Sequence, residues 1–160
     1  MKAAMASAVL ATVTMLGGCA DPAATMKYRP GAKDGLALTL SISQATPRIG
    51  DRVKALVTAA NTSKTPIVIS ADTTAVVLLD IWRPAGPSWD RFKRLPETAR
   101  TKLTIWRLEP GQVKTFELMM EVTPDWPTAE TMRVTAHLNG RPDLADEVVL
   151  RVQPRPQAVP

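Results

Sequence analysis

The chain has 160 residues, 45% of them hydrophobic and 22% charged, with a formal net charge of +5. Those proportions belong to an ordinary globular protein and exclude a disordered or collagen-like chain, and so modest a charge implies no nucleic-acid partner. One cysteine and one histidine exclude a disulfide framework, and they leave a catalytic triad or histidine-based metal site without partners in the chain.

Residues 1–18 carry Lys2 near their start, run through an apolar stretch interrupted by Ser7, Thr12 and Thr14, and end in small residues. That is the plan of a secretory signal peptide. The run is shorter than the roughly 20 apolar residues of a transmembrane helix. Its end, Leu16-Gly17-Gly18-Cys19, resembles the bacterial lipobox. The resemblance implies cleavage before Cys19 and diacylglycerol on its sulfur, since a thiolate is the strong nucleophile available to take a lipid. Cys19 is then the lipidation site of an exported, membrane-anchored protein. Ala20 after it, rather than aspartate, indicates the periplasmic face of the outer membrane, by the sorting habit of related lipoproteins. The other reading is a soluble secreted protein with a free thiol, which is an oxidation liability in that compartment.

Residues 19–35 hold small residues, two prolines and mixed charges without apolar periodicity, which predicts a tether. Residues 36–153 carry the domain, and the proline-rich residues 154–160 read as an extended tail.

Within the domain, strict alternation predicts strands with one buried face. In LALTLSI the buried set is Leu36, Leu38, Leu40 and Ile42; in RVKALVTA it is Val53, Ala55, Val57 and Ala59. PIVIS is a further strand, and AVVLLDIW, apolar on both faces, suits a central strand or a short helix. KLTIWRL follows, then VKTFELMMEV with Phe116, Leu118, Met120 and Val122 inward. TMRVTAHL buries Met132, Val134, Ala136 and Leu138, and EVVLRVQ buries Val148, Leu150 and Val152. Turn chemistry separates them: Pro47 to Asp51, Asn61 to Lys64, the Pro110-Gly111 pair and Asn139-Gly140. The expected fold class is all-β, an antiparallel sandwich of about seven to eight strands.

The order "strand, PxxGD, strand, NxSxxPI, strand, long Trp-containing excursion, LxPGQxxxF" is carried by Pro47–Asp51, Asn61–Ile67, Trp89 and Leu108–Phe116. It resembles bacterial immunoglobulin-like domains, in particular the type named for the Bacillus intracellular proteinase inhibitor (BsuPI), over residues 36–152. The resemblance implies an immunoglobulin-like β-sandwich and admits protease inhibition. It carries over no inhibitory residue, and the antibody-type Cys, Trp, Cys pattern is absent.

Strand parity puts His137 with Arg133 and Thr135 on a polar face, as an exposed surface histidine. The sharper alternative is a copper carrier using His137 with Met119, Met120 or Met132, since thioethers suit Cu(I); two of those methionines fall on core faces. Asp80 reads as a strand-end carboxylate facing solvent. Asp143, Asp146 and Glu147 lack calcium-loop spacing and read as turn and solubility residues. No nucleotide-binding glycine loop or paired-carboxylate pattern is present. The expectation is therefore a non-enzyme without a cofactor.

Charge is distributed unevenly. Residues 83–107 hold seven basic residues against Asp90 and Glu97, and residues 109–147 hold eight acids against Lys114, Arg133 and Arg141. The stretch 82–107 reads as a basic, aromatic loop, with Trp89, Arg91, Phe92, Lys93 and Arg94 as candidate partner-binding residues. Its expected partner is an acidic protein or anionic envelope component. The function expected is a scaffolding or interaction module, with a protease inhibitor and a copper or small-ligand carrier as alternatives; the sequence sets no oligomeric state.

Overall fold

Alternation in the sequence becomes alternation in burial. Leu36, Leu38, Leu40, Val53, Ala55, Val57, Ala59, Met132, Val134, Ala136 and Leu138 all point into one core, and most of them are fully enclosed. The computed structural model describes residues 31–155. Its elements are β1 (Gly31–Lys33), β2 (Leu36–Ile42), β3 (Arg52–Asn61), β4 (Ile67–Thr73) and β5 (Val77–Ala85), followed by β6 (Ser88–Leu95), β7 (Thr101–Leu108), β8 (Val113–Glu121), β9 (Thr131–Leu138) and β10 (Arg141–Arg151). The expected signal peptide, Cys19, most of the tether and residues 156–160 of the tail lie outside the described residues.

All strand pairs are antiparallel. One sheet has the order β1-β2-β3-β8, the second β10-β9-β5-β6, and β4 pairs with β7 as a separate ribbon. In immunoglobulin lettering β2, β3 and β8 stand as A, B and E, and β10, β9, β5 and β6 stand as G, F, C and C′. The fold is an all-β, immunoglobulin-like sandwich. AVVLLDIW is a strand interior to its sheet, as its two apolar faces require.

Two polar groups close the structure from inside. Asn61, 1% exposed, donates from Nδ2 to the carbonyls of Thr65 and Leu108 at 2.8 and 2.9 Å, while its Oδ1 accepts from the Ser63 backbone and hydroxyl. It thereby fixes the turn into β4 against the end of β7. Asp146 is buried and accepts the Leu40 N–H at 2.7 Å. Turn and solubility roles were expected for this carboxylate; instead it pins β10 to the part of β2 that lies beyond the end of β1, because a buried N–H there needs an acceptor.

Several expectations are corrected. Residues 31–33 of the expected tether pair with Leu36–Leu38 as β1. The expected loop 82–107 is largely strand: the end of β5, all of β6 and most of β7. Gly86, with φ of 61°, sits at the first central position of a two-residue turn, where L-residues are strained. Leu118, expected in the core, is only partly buried, because β8 is an edge strand.

Candidate functional site

The outward face of the β10-β9-β5-β6 sheet is set by its register. Asp80 on β5 stands opposite Arg94 on β6 and Thr135 on β9, and Trp82 stands opposite Arg91 and Arg133. On β10, Glu147, Val149 and Arg151 face Thr135, Arg133 and Thr131. Directly opposed residues share a face. Four arginines (91, 94, 133, 151) therefore meet two acids, Asp80 and Glu147, giving this face an excess of positive charge.

Its centre is an ionic cluster. Arg94 approaches Asp80 as a fork, Nε to Oδ1 at 2.6 Å and Nη2 to Oδ2 at 2.7 Å. His137 Nε2 lies 3.1 Å from the same Oδ2. Asp80 is 4% exposed. Burial raises its pKa, but hydrogen bonds and charge from Arg94 and His137 outweigh this and hold the carboxyl below the ordinary carboxylate value. The Asp80 bond in turn raises the Arg94 guanidinium. The expectations of a solvent-facing Asp80 and an exposed His137 are thus both corrected. Each residue is covered because its partners arrive from neighbouring strands.

Beside the cluster, the Arg133 guanidinium carbon sits 4.6 Å from the Trp89 ring centroid, and its Nη1 is 3.6 Å from Glu147. The buried Arg133 Nε has no hydrogen-bond partner. Trp89 remains exposed, as does Arg91. These features make a cationic, aromatic surface suited to carboxylate.

The five candidate residues do not all lie on one face. Trp89, Arg91 and Arg94 share the outward face. A register shift next to Ile81 leaves Phe92 unpaired in the ladder, and its ring meets buried Trp126 edge-on at 5.7 Å. Lys93 pairs with Glu97 at 3.1 Å. Arg133 and the Asp80–His137 contact escaped sequence reasoning. The parity of TMRVTAHL put Arg133 and His137 on one face, yet nothing local indicated which strand lay alongside.

The His137 ring lies between two acceptors: Nε2 faces Asp80 Oδ2, and Nδ1 lies 3.3 Å from the Leu138 carbonyl. Among the described residues no group of three or more His, Cys, Asp or Glu side chains could hold a metal ion. The methionines considered for copper are apart from His137. Met120 and Met132 are in the core, and Met119 lies with Lys54 on the exposed face of the other sheet.

No family model matches the chain, and no curated protein matches it in sequence. Among solved structures it is similar to the sporulation control protein Spo0M of Bacillus subtilis, at 13% identity and a TM-score of 0.55, over 76% of this chain and 50% of that one. A β-glucosidase from Erythrobacter marinus aligns at 15% identity and a TM-score of 0.47, over 73% of this chain and 15% of that one. A CARDB domain from Pyrococcus furiosus, in complex with di-metal ions, aligns at 9% identity and 0.44, over 84% and 99%. The chain spans half the length of Spo0M, and identity at this level shows a shared β-rich fold alone.

Proposed function

We propose that this chain is a lipid-anchored, non-catalytic interaction module of the cell envelope, whose immunoglobulin-like sandwich presents the outward β10-β9-β5-β6 face to an acidic protein surface. The observation that carries the contact is the excess of arginine on the face that displays exposed Trp89. Arginine and tryptophan are favoured interface anchors, and strands hold them more rigidly than a loop would. Anchoring rests on the lipobox-like Leu16-Gly17-Gly18-Cys19. Stable retention needs more than one acyl chain, as a lipoprotein cysteine would carry.

The residues behind the resemblance to the BsuPI type serve the fold: Asn61 ties a turn, and Asp51 accepts the Arg48 N–H. They support the architecture and place no inhibitory side chain.

The anchor is tested by Cys19→Ser, which should move the protein from the membrane pellet to the soluble fraction; retention at wild-type levels refutes it. The contact is tested on immobilised polyglutamate. Arg91→Ser should slow association and flatten its salt dependence, and Trp89→Ala should speed dissociation. Unchanged binding by both folded variants refutes the assigned face. A protease captured from envelope extract and silenced on binding would make the module an inhibitor.

A further inference from the structure

Four arginines give the outward β10-β9-β5-β6 face its charge, but the fold itself engages three of them. Arg94 is forked onto Asp80, Arg133 lies over the Trp89 ring with Glu147 beside it, and Arg151 donates from Nε to the Ala129 carbonyl at 3.0 Å. Arg91 is different. It is exposed, and among the described residues it has no hydrogen bond, ion pair or ring contact. Its whole guanidinium fork can therefore turn to a ligand.

The surroundings of Arg91 are aromatic. Half-buried Trp82 stands directly opposite it on β5, so the two side chains rise from neighbouring points of the face. Trp89, 37% exposed, lies two residues back on the same strand and the same face, a step of about 6.8 Å along a pleated strand. Arg133 holds Trp89 from β9, with its guanidinium carbon 4.6 Å from the ring centroid, and Glu147 lies 3.6 Å from that guanidinium. An anchor held before binding loses less freedom on binding.

This arrangement selects among anions. A carboxylate meeting Arg91 can take two parallel N–H bonds. A second carboxylate one step along would meet the indole of Trp89, whose ring face is negative and which suits an apolar group instead. In an extended chain, residues i and i+2 point the same way at the spacing of Trp89 and Arg91. We infer that the feature read by this face is one Asp or Glu two residues from a large apolar side chain, in an extended segment of the partner, with the carboxylate on Arg91 and the apolar group on Trp89. This rests on the reading of the face as a contact for an acidic protein and narrows what that protein must display. The other three arginines act at longer range, on the rate of approach.

The probes are immobilised, acetylated and amidated nine-residue peptides of serine and threonine that carry one phenylalanine and one glutamate, tested beside polyglutamate. With the two residues two apart, at least one order should bind the full chain about fivefold more tightly than its versions with glutamine for glutamate or alanine for phenylalanine, the upper range for one exposed ion pair. It should also bind more tightly than a peptide with the two residues three apart, where they point to opposite sides. Arg91→Gln should erase the preference for glutamate over glutamine, whereas Arg151→Gln, which removes the same charge, should keep it. Trp89→Ala should erase the preference for phenylalanine over alanine. If polyglutamate binds but the spaced peptide gains nothing over its glutamine and alanine versions, this inference fails and the acidic-partner reading stands. If neither probe binds, both fail. A glutamate preference that Arg151→Gln removes as fully as Arg91→Gln would show a diffuse field of charge and also overturns the inference.

Discussion

Arg94 on β6 grips Asp80 on β5 with two parallel hydrogen bonds of 2.6 and 2.7 Å, fourteen residues apart in the chain and directly opposite in the sheet. The carboxylate is nearly enclosed while the arginine side chain keeps 40% exposure. A charge so enclosed persists only when paired, and this pair fixes the register of the β5–β6 hairpin that displays Trp89.

Removing one partner of a fully buried ion pair costs ~3–5 kcal/mol. Because solvent reaches Arg94 and His137 still contacts Asp80, Arg94→Ala should cost less, ~2 kcal/mol in urea unfolding. The double variant Arg94→Ala with Asp80→Leu should recover much of that loss. If the two substitutions simply add, the coupling between them is absent.

Acid stability follows from the same carboxylate. Arg94, His137 and the opposed Thr135 face Asp80, and its folded pKa lies below the ordinary 3.8. A depressed carboxylate contributes stability that is fully present above the unfolded pKa and lost as pH falls through the folded one. Thermal stability should therefore decline below about pH 4. Asp80→Asn should flatten that part of the profile while lowering stability at neutral pH. An identical acid limb in the variant would show that other carboxylates set it.

Leu138 is fully buried, and Leu138→Ala should cost ~2–5 kcal/mol. Leu118→Ala, on the half-open edge strand, should cost nearer ~1 kcal/mol, since less apolar area leaves water there. Glu117→Ala removes only an exposed pair with Lys54 at 3.1 Å and should change stability by under ~0.5 kcal/mol. Equal losses for Leu138 and Leu118 would contradict the placement of β8 at the edge.

Asn61→Ala strands the Leu108 carbonyl, whose Asn61 bond is buried, and should cost ~1–3 kcal/mol. Asn61→Asp should be at least as damaging, because it replaces two donors with a buried charge. Melting curves of the two variants check both; an unshifted Asn61→Ala curve would mean that water replaces the amide.

Where one strand face meets the core and the other meets water, the sequence reveals the strand, because polarity repeats with the pleat. LALTLSI, RVKALVTA and TMRVTAHL are legible for that reason, and the intervening Pro, Gly and Asn residues mark their ends. β6 was not legible. Its apolar residues Trp89, Phe92 and Leu95 recur every three positions, because the register shift at Phe92 breaks the period of two.

The amino-acid sequence alone determined the strands that alternate, the turns between them and the all-β class, all of which depend on neighbours a few residues apart. Which edge each strand offers, and so which charges meet, was decided only by the tertiary structure. Asp80 is buried because Arg94 and His137 reach it from 14 and 57 residues away, and β8 ends its sheet because β7 pairs with β4. Such pairings arise from closing long loops around a shared core, and no local pattern records them.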